Sequence, residues 1–108
     1  MNERSDLPFK LGRRRHRFLG DQVQLQLTDD FVLRLTLAEA SSLSFALAAV
    51  RSSLSEEREI YLSPIASDAD FVGTVQDWGV SIATPIGAIE LGWTSVGLLA
   101  ESLASTIG

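Results

Sequence analysis

The strongest constraint on the fold is an alternation of apolar and polar residues that occurs twice between residues 22 and 37. Residues 22–28 are Gln-Val-Gln-Leu-Gln-Leu-Thr, and residues 31–37 are Phe-Val-Leu-Arg-Leu-Thr-Leu. Successive side chains of a strand point to opposite faces, so each segment has one apolar face. Asp29 and Asp30 favour a turn, because aspartate side chains accept hydrogen bonds from nearby backbone amides. The pattern predicts a β-hairpin with one face in the core.

A helix is predicted directly after the hairpin. Thr36 and Glu39 have the spacing of a capping box, in which each side chain accepts a hydrogen bond from a backbone N–H at the helix start. The helix is expected over 37–54. Its apolar stripe recurs every three or four residues, at Ala40, Leu43, Leu47, Val50 and Leu54. Phe45 lies off this stripe; we expect it to widen the buried face, the alternative being contact with a partner.

The second half of the chain alternates again and then ends in another helix. Strands are expected at 60–63 (ended by Pro64), 71–76, 78–84 and 88–93. Thr94 is expected to cap the last helix, with Trp93 packed on Leu98. The buried stripe of that helix is Val96, Leu99, Leu103 and Ile107.

These elements predict an α+β protein. The expected order is β-β-α-β-β-β-β-α, with one antiparallel sheet and both helices on one of its faces. The length of 108 residues suits one domain over 9–108, preceded by a frayed terminus over 1–8.

Charge is distributed unevenly along the chain. Residues 1–17 carry six cations and two acids, whereas residues 18–108 carry three cations and twelve acids, for a net charge of −5. We call residues 10–17 the basic segment. The cations of this segment are Lys10, Arg13, Arg14, Arg15 and Arg17.

Three interpretations of the basic segment are open. It can be an arm that binds phosphate or an acidic partner, because a guanidinium group pairs bidentately with such oxygens. It can be a solvated segment that keeps the domain in solution. Alternatively, Phe9, Leu11 and Phe18 draw it into an edge strand whose arginines point outward. The acidic remainder of the chain weighs against a polyanionic ligand.

Tyr61 is the best candidate for an exposed ring that could stack on a base, because it alternates with Ile60 and Leu62. Phe31 and the two tryptophans are expected in the core. The candidate contact residues are therefore Lys10, Arg13, Arg14, Arg15, Arg17 and Tyr61.

Catalytic and metal-binding patterns are absent from the sequence. The chain has no cysteine and one histidine, His16, which we expect to be solvated or to face a partner. Residues 68–73 begin like a calcium loop, but its twelfth position is Gly79 instead of glutamate. Residues 43–50 are too few to cross a bilayer, and the N-terminus does not resemble a signal peptide. We expect a cytoplasmic protein that is not an enzyme and has no cofactor, metal or membrane partner.

Residues 29–40, Asp-Asp-Phe-Val-Leu-Arg-Leu-Thr-Leu-Ala-Glu-Ala, resemble the start of the long helix in the small whirly-like domains of unknown function found in cyanobacteria. An acidic helix exit at 56–57 and a Gly92-Trp93 pair that opens the last helix extend the resemblance over 20–105. The early Gly-Trp strand motif of that family is replaced here by the basic segment. The resemblance implies antiparallel strands backed by two helices, in a fold class whose members bind single-stranded DNA.

Two functions from different classes follow from these observations, and an enzyme whose catalytic residues come together only on folding is a third alternative. The first is an interaction module that binds an unknown protein or a second copy of the chain. Small residues on one side of the first helix favour it: Ser42, Ala46, Ala49 and Ser53. The alternative is a regulatory domain that binds single-stranded nucleic acid through the basic segment.

Overall fold

The computed structural model describes residues 9–18, 20–28, 31–53, 56–67 and 69–107. The elements are β1 (Lys10–His16), β2 (Gly20–Thr28), β3 (Phe31–Thr36), α1 (Leu37–Arg51), β4 (Glu59–Leu62), β5 (Phe71–Gln76), β6 (Gly79–Thr84), β7 (Gly87–Gly92) and α2 (Trp93–Ile107). The predicted α+β class is confirmed. From β2 to α2 the order matches the prediction, and the basic segment adds β1 in front of it. The terminus over 1–8 and the turn residues Asp29 and Asp30 lie outside the described residues.

The strands form two antiparallel sheets where the sequence predicted one. The first sheet has the order β1-β2-β3 and the second has the order β4-β5-β6-β7. Each strand pairs with its neighbour in sequence, and α1 interrupts the series between β3 and β4. The outer edge of β3 is met by a side chain: the Ser67 hydroxyl accepts a hydrogen bond from the Arg34 N–H (2.6 Å) and donates one to the Arg34 carbonyl (3.1 Å).

The two helices pack against each other and run antiparallel. Ser44 Oγ donates to the Ala100 carbonyl (2.8 Å), and about two turns further along α1 Arg51 Nε donates to the Trp93 carbonyl (3.1 Å). A Cβ at Gly97 would lie 2.6 Å from Arg51 Nε, so glycine leaves room for this arginine. Both helices also contact both sheets. The two sheets and the two helices therefore enclose one hydrophobic core.

The first helix begins as predicted and ends earlier. The capping box is confirmed, since the Thr36 N–H donates to Glu39 Oε1 (2.8 Å) and the Glu39 N–H donates to Thr36 Oγ1 (3.1 Å). The stripe from Ala40 to Val50 is buried. The helix ends at Arg51 because Ser53 takes a left-handed conformation (φ +59°) that cannot continue it. Leu54, the predicted end, lies outside the described residues.

Three aromatic residues differ from expectation. Phe45 is 75% exposed, so it does not widen the buried face. Trp78 is 45% exposed because it lies in the two-residue turn between β5 and β6 instead of in a strand. Trp93 opens α2, one residue before the expected cap, and its indole N–H donates to the Asp77 carbonyl (2.7 Å). This bond holds the ring on the β5–β6 turn, and the partly buried ring packs against the core as expected.

Candidate functional site

The two sheets carry opposite charge. The strands of the first sheet contain five cations (Lys10, Arg13, Arg14, Arg15, Arg34) and one acid (Asp21). The strands of the second sheet contain two acids (Glu59, Glu90) and no lysine or arginine. Among the strands, the cations are therefore confined to the first sheet, which is the place to look for a site that binds a polyanion.

The pairing register divides the basic segment between two faces. Leu11 lies opposite Leu25 and Arg13 opposite Val23, so Leu11, Arg13 and Arg15 are on the side of β1 that faces the core. Lys10 and Arg14 alternate with them and are on the outer face. The structure supports the interpretation of this segment as an edge strand, with two corrections. Phe18 is exposed instead of drawing the segment into the core, and only Arg14 of the strand's three arginines points outward.

The arginines on the core side are engaged by the domain itself. Arg13 Nη2 lies 2.8 Å from Asp21 Oδ2, and Arg15 Nε lies 3.3 Å from Asp21 Oδ1. Arg13 Nη1 also donates to the carbonyls of Thr106 (3.0 Å) and Ile107 (3.4 Å) at the end of α2. A cation there satisfies carbonyls that have no partner within the helix and meets the negative end of its dipole. Arg13 is therefore part of the fold.

Apart from Val32, which lies opposite Gln26, the outer face of the first sheet is polar and cationic. We call it the cationic face and define it by Lys10, Gly12, Arg14, Gln24, Gln26 and Arg34. Lys10 pairs with Gln26 across β1 and β2, and Gln24 lies between Gly12 and Arg34. Its three cations are exposed, and Arg14 Nη1 donates to Gln24 Oε1 (3.3 Å).

The cationic face has room for a ligand and no carboxylate of its own strands to compete for the cations. The one acid of the first sheet, Asp21, lies on the other face, opposite Arg15. A shallow depression of about 240 Å³ lies over β1 and β2, lined in part by Lys10, Arg14 and Gln24. Amide groups both donate and accept hydrogen bonds, so the glutamines can meet base edges while the cations meet phosphates.

Gln22 lies at the end of this row and differs from the other glutamines. Its side chain is wholly buried next to Thr36 across β2 and β3. Neither its amide oxygen nor its amide nitrogen has a hydrogen-bond partner among the described residues. A buried amide without a partner destabilises a fold, so this residue is a clear target for mutation.

The turn after β1 presents an exposed ring beside a cation. The Phe18 side chain is 83% exposed, and the Arg17 guanidinium carbon lies 5.8 Å from its ring centroid. This distance suits a cation–π contact. The side chain of His16, just before this turn, lies outside the described part of the structure.

Tyr61 lies on the other sheet. It is 59% exposed on β4, and its hydroxyl donates to Asp70 Oδ2 (2.7 Å). This hydrogen bond raises the pKa of Tyr61, because the carboxylate favours the protonated phenol. The structure thus separates the candidate contact residues. Lys10 and Arg14 lie on the cationic face, whereas Arg13 and Arg15 form ion pairs with Asp21. Tyr61 lies on the second sheet and is hydrogen-bonded to Asp70.

Sequence analysis did not name Gln24, Gln26, Arg34 or Phe18 as contact residues. The signal for the first three was present, because they occupy the polar positions of the same alternation that predicts the hairpin. Their alignment with β1 depends on strand register, which the basic segment alone does not determine.

Within the described ranges, no three acidic or histidine residues come together in a way that could hold a metal ion. None of the described helices is long and apolar enough to cross a membrane. No protein-family model, curated protein or solved structure matches this chain.

Proposed function

We propose that the protein is a non-enzymatic binding domain that holds single-stranded nucleic acid on the cationic face. The observation that carries the proposal is the position of Lys10, Arg14 and Arg34. They are exposed on one sheet face whose strands place no carboxylate beside them. Phosphate contacts of this kind supply most of the affinity of sequence-independent binding.

The shape and chemistry of the face favour a single strand. Three strands about 4.8 Å apart make a surface about 10 Å across, which is narrow enough for one chain of nucleotides. Gln24 and Gln26 offer amide groups at its centre. Phe18 is exposed in the turn that joins β1 to β2, and stacking on aromatic rings is the usual source of affinity for unpaired bases.

The protein has a net charge of −5, which repels nucleic acid, but this repulsion does not prevent binding at a locally cationic surface. At an ionic strength of about 0.1 M, exposed charges more than about 10 Å apart are largely screened. Nearby cations then act on a ligand more strongly than distant carboxylates. The proposal includes membership of the whirly-like domains, which rests on the resemblance of residues 29–40 and of the Gly92-Trp93 pair.

A salt titration tests this function. Binding of a fluorescent oligothymidylate of about 12 nucleotides would be followed by anisotropy from about 50 to 200 mM salt. Replacing Lys10, Arg14 and Arg34 by glutamine should flatten the plot of log affinity against log salt by about 2, at about 0.7 for each lost phosphate contact.

Arg14→Gln and Arg58→Gln form a matched pair, because each removes one exposed arginine and only the first lies on the cationic face. We expect Arg14→Gln to weaken binding and Arg58→Gln to leave it unchanged. Absence of binding at about 50 mM salt, or equal losses in the two variants, would reject the proposal.

A second candidate function is self-association through α1. Phe45 is 75% exposed, and residues 40–50 of this helix include no charged side chain. Two copies can therefore approach along this face without repulsion between charges. Sedimentation should show a dimer that Phe45→Glu dissociates, whereas Ala48→Glu, one turn away, tests the extent of the interface. A monomer at all concentrations would exclude this candidate.

A further inference from the structure

We infer that the free edge of β1 is a second binding site, which takes an extended peptide of alternating acidic and apolar residues as an added strand. β1 is the first strand of the order β1-β2-β3, and among the described residues it pairs only with β2. In an antiparallel pair, alternate residues turn their N–H and C=O groups away from the partner strand. No described strand pairs with those groups of β1, so within the described structure they can accept a further strand. This inference does not depend on the proposed function.

A groove lies alongside that edge. It has a volume of about 600 Å³ and is bounded by β1 on one side and α2 on the other. Its apolar part consists of Phe9, Leu11 and Leu98. Its polar part consists of Lys10, Glu101, Ser102, Ser105 and Thr106, and the carboxylate of Glu101 disfavours acidic residues on this side. One side of an added strand would face this groove, because side chains alternate between the two faces of a sheet. Apolar residues fit that side where it meets Phe9 and Leu11; farther along β1, Arg13 and Arg15 lie on the same side and are paired with Asp21.

The other side of an added strand would lie beside the outer face of β1. That side of β1 presents Lys10, Gly12 and Arg14, which are all exposed. A Cβ at Gly12 would have no atom within 4 Å, so the centre of this row is open. Acidic residues fit here, since opposite charges on neighbouring strands attract each other. The two sides together define the alternating pattern.

The same charges disfavour two other occupants. A second copy of β1 would bring rows of lysine and arginine together, and like charges on adjacent strands are destabilising. Cations on an edge strand also discourage pairing with uncharged strands, which is a common protection against aggregation. The edge is therefore selective for an acidic strand.

The binding experiment uses the full chain and a fluorescent peptide, Thr-Glu-Val-Glu-Val-Glu-Val-Thr, followed by anisotropy. Two control peptides have the same charge and carry backbone N-methyl groups at either the odd or the even positions. Strand addition uses the N–H groups of one peptide edge only. One methylated peptide should therefore lose at least about tenfold in affinity while the other retains binding.

Protein variants and hydrogen exchange complete the test. Arg14→Gln should weaken the peptide about two- to fivefold, the effect of one cross-strand charge pair, and Arg58→Gln should not. Bound peptide should slow amide exchange at alternate residues of β1. Absence of binding, or equal binding of the parent and both methylated peptides, would overturn the inference, because simple charge attraction does not require backbone N–H groups. A dimer that persists in Phe45→Glu and protects the amides of β1 without peptide would overturn it in favour of a second copy paired at this edge.

Discussion

Replacing Arg13 by glutamine should destabilise the fold, whereas the same replacement at Arg14 should leave the free energy of unfolding almost unchanged. The two arginines are adjacent in β1 and lie on opposite faces. Arg13 joins β1 to Asp21 and to the last carbonyls of α2, while Arg14 makes one hydrogen bond of 3.3 Å to Gln24. Each variant is therefore the control for the other.

The magnitude follows from the contacts of Arg13. The ion pair with Asp21 is short but partly exposed, with side-chain exposures of 43% and 36%, so solvent screening limits it to about 0.2–1 kcal/mol. A cation at a helix C-terminus contributes about 0.3–1 kcal/mol. The loss expected for Arg13→Gln is about 1 kcal/mol, or about 4 °C in Tm for a domain of this size. For Arg14→Gln we expect less than about 0.5 kcal/mol.

Urea denaturation followed by tryptophan fluorescence measures both variants against the parent protein. The slope m should stay constant, so that the midpoint reports stability alone. A cycle with Asp21→Asn separates the ion pair from the contacts with α2, because only the ion pair is lost in both single variants. Equal midpoints for the Arg13 and Arg14 variants would refute the assignment of Arg13 to the fold.

Three further predictions concern other parts of the molecule. Gln22→Met should raise stability by about 1 kcal/mol, since it removes a buried amide without a partner among the described residues; lower stability in the same denaturation assay would contradict this. Gly79→Ala should lower the free energy of unfolding by at least about 2 kcal/mol, because its Cβ would collide with the backbone of β7. Gly87→Ala has open space around it and should cost about 1 kcal/mol; equal costs would contradict the close approach of β7 to Gly79. Asp70→Asn should lower the raised pKa of Tyr61 toward 10.0 in an absorbance titration of the phenol. The Tyr61–Asp70 bond stabilises the fold below pH 10.0 and loses this effect as the pH rises through the raised pKa; an unchanged titration in the variant would exclude the bond.

Structural features that depend on residues close together in the sequence, such as the hairpin and the start of α1, were predictable. The hairpin follows from the alternation around Val23 and Leu33, and both residues are fully buried. The start of α1 follows from the chemistry of Thr36 and Glu39, which lie three residues apart. In these cases the information is contained within one turn of helix or one pair of strands, so periodicity and capping are sufficient.

Features decided by distant contacts were not predictable. Arg13 is engaged by Thr106, 93 residues away, and no local pattern indicates that α2 ends beside β1. Phe45 is exposed because the apolar stripe of α1 already meets the core without it. Tyr61 belongs to a sheet separate from the basic segment, a division that follows from strand pairing across the whole chain.

The measurement that tests the central claim most directly is a map of amide chemical shifts as an oligothymidylate is added to the isotopically labelled protein. Binding at the first sheet should move the resonances of Gly12, Gln24 and Gln26, and the side-chain N–H signals of Arg14 and Arg34, at low salt. The resonances of the second sheet should stay in place, because its strands carry acids and no cations. Shifts confined to the second sheet, or no shifts at all, would contradict the assignment of ligand binding to the cationic face.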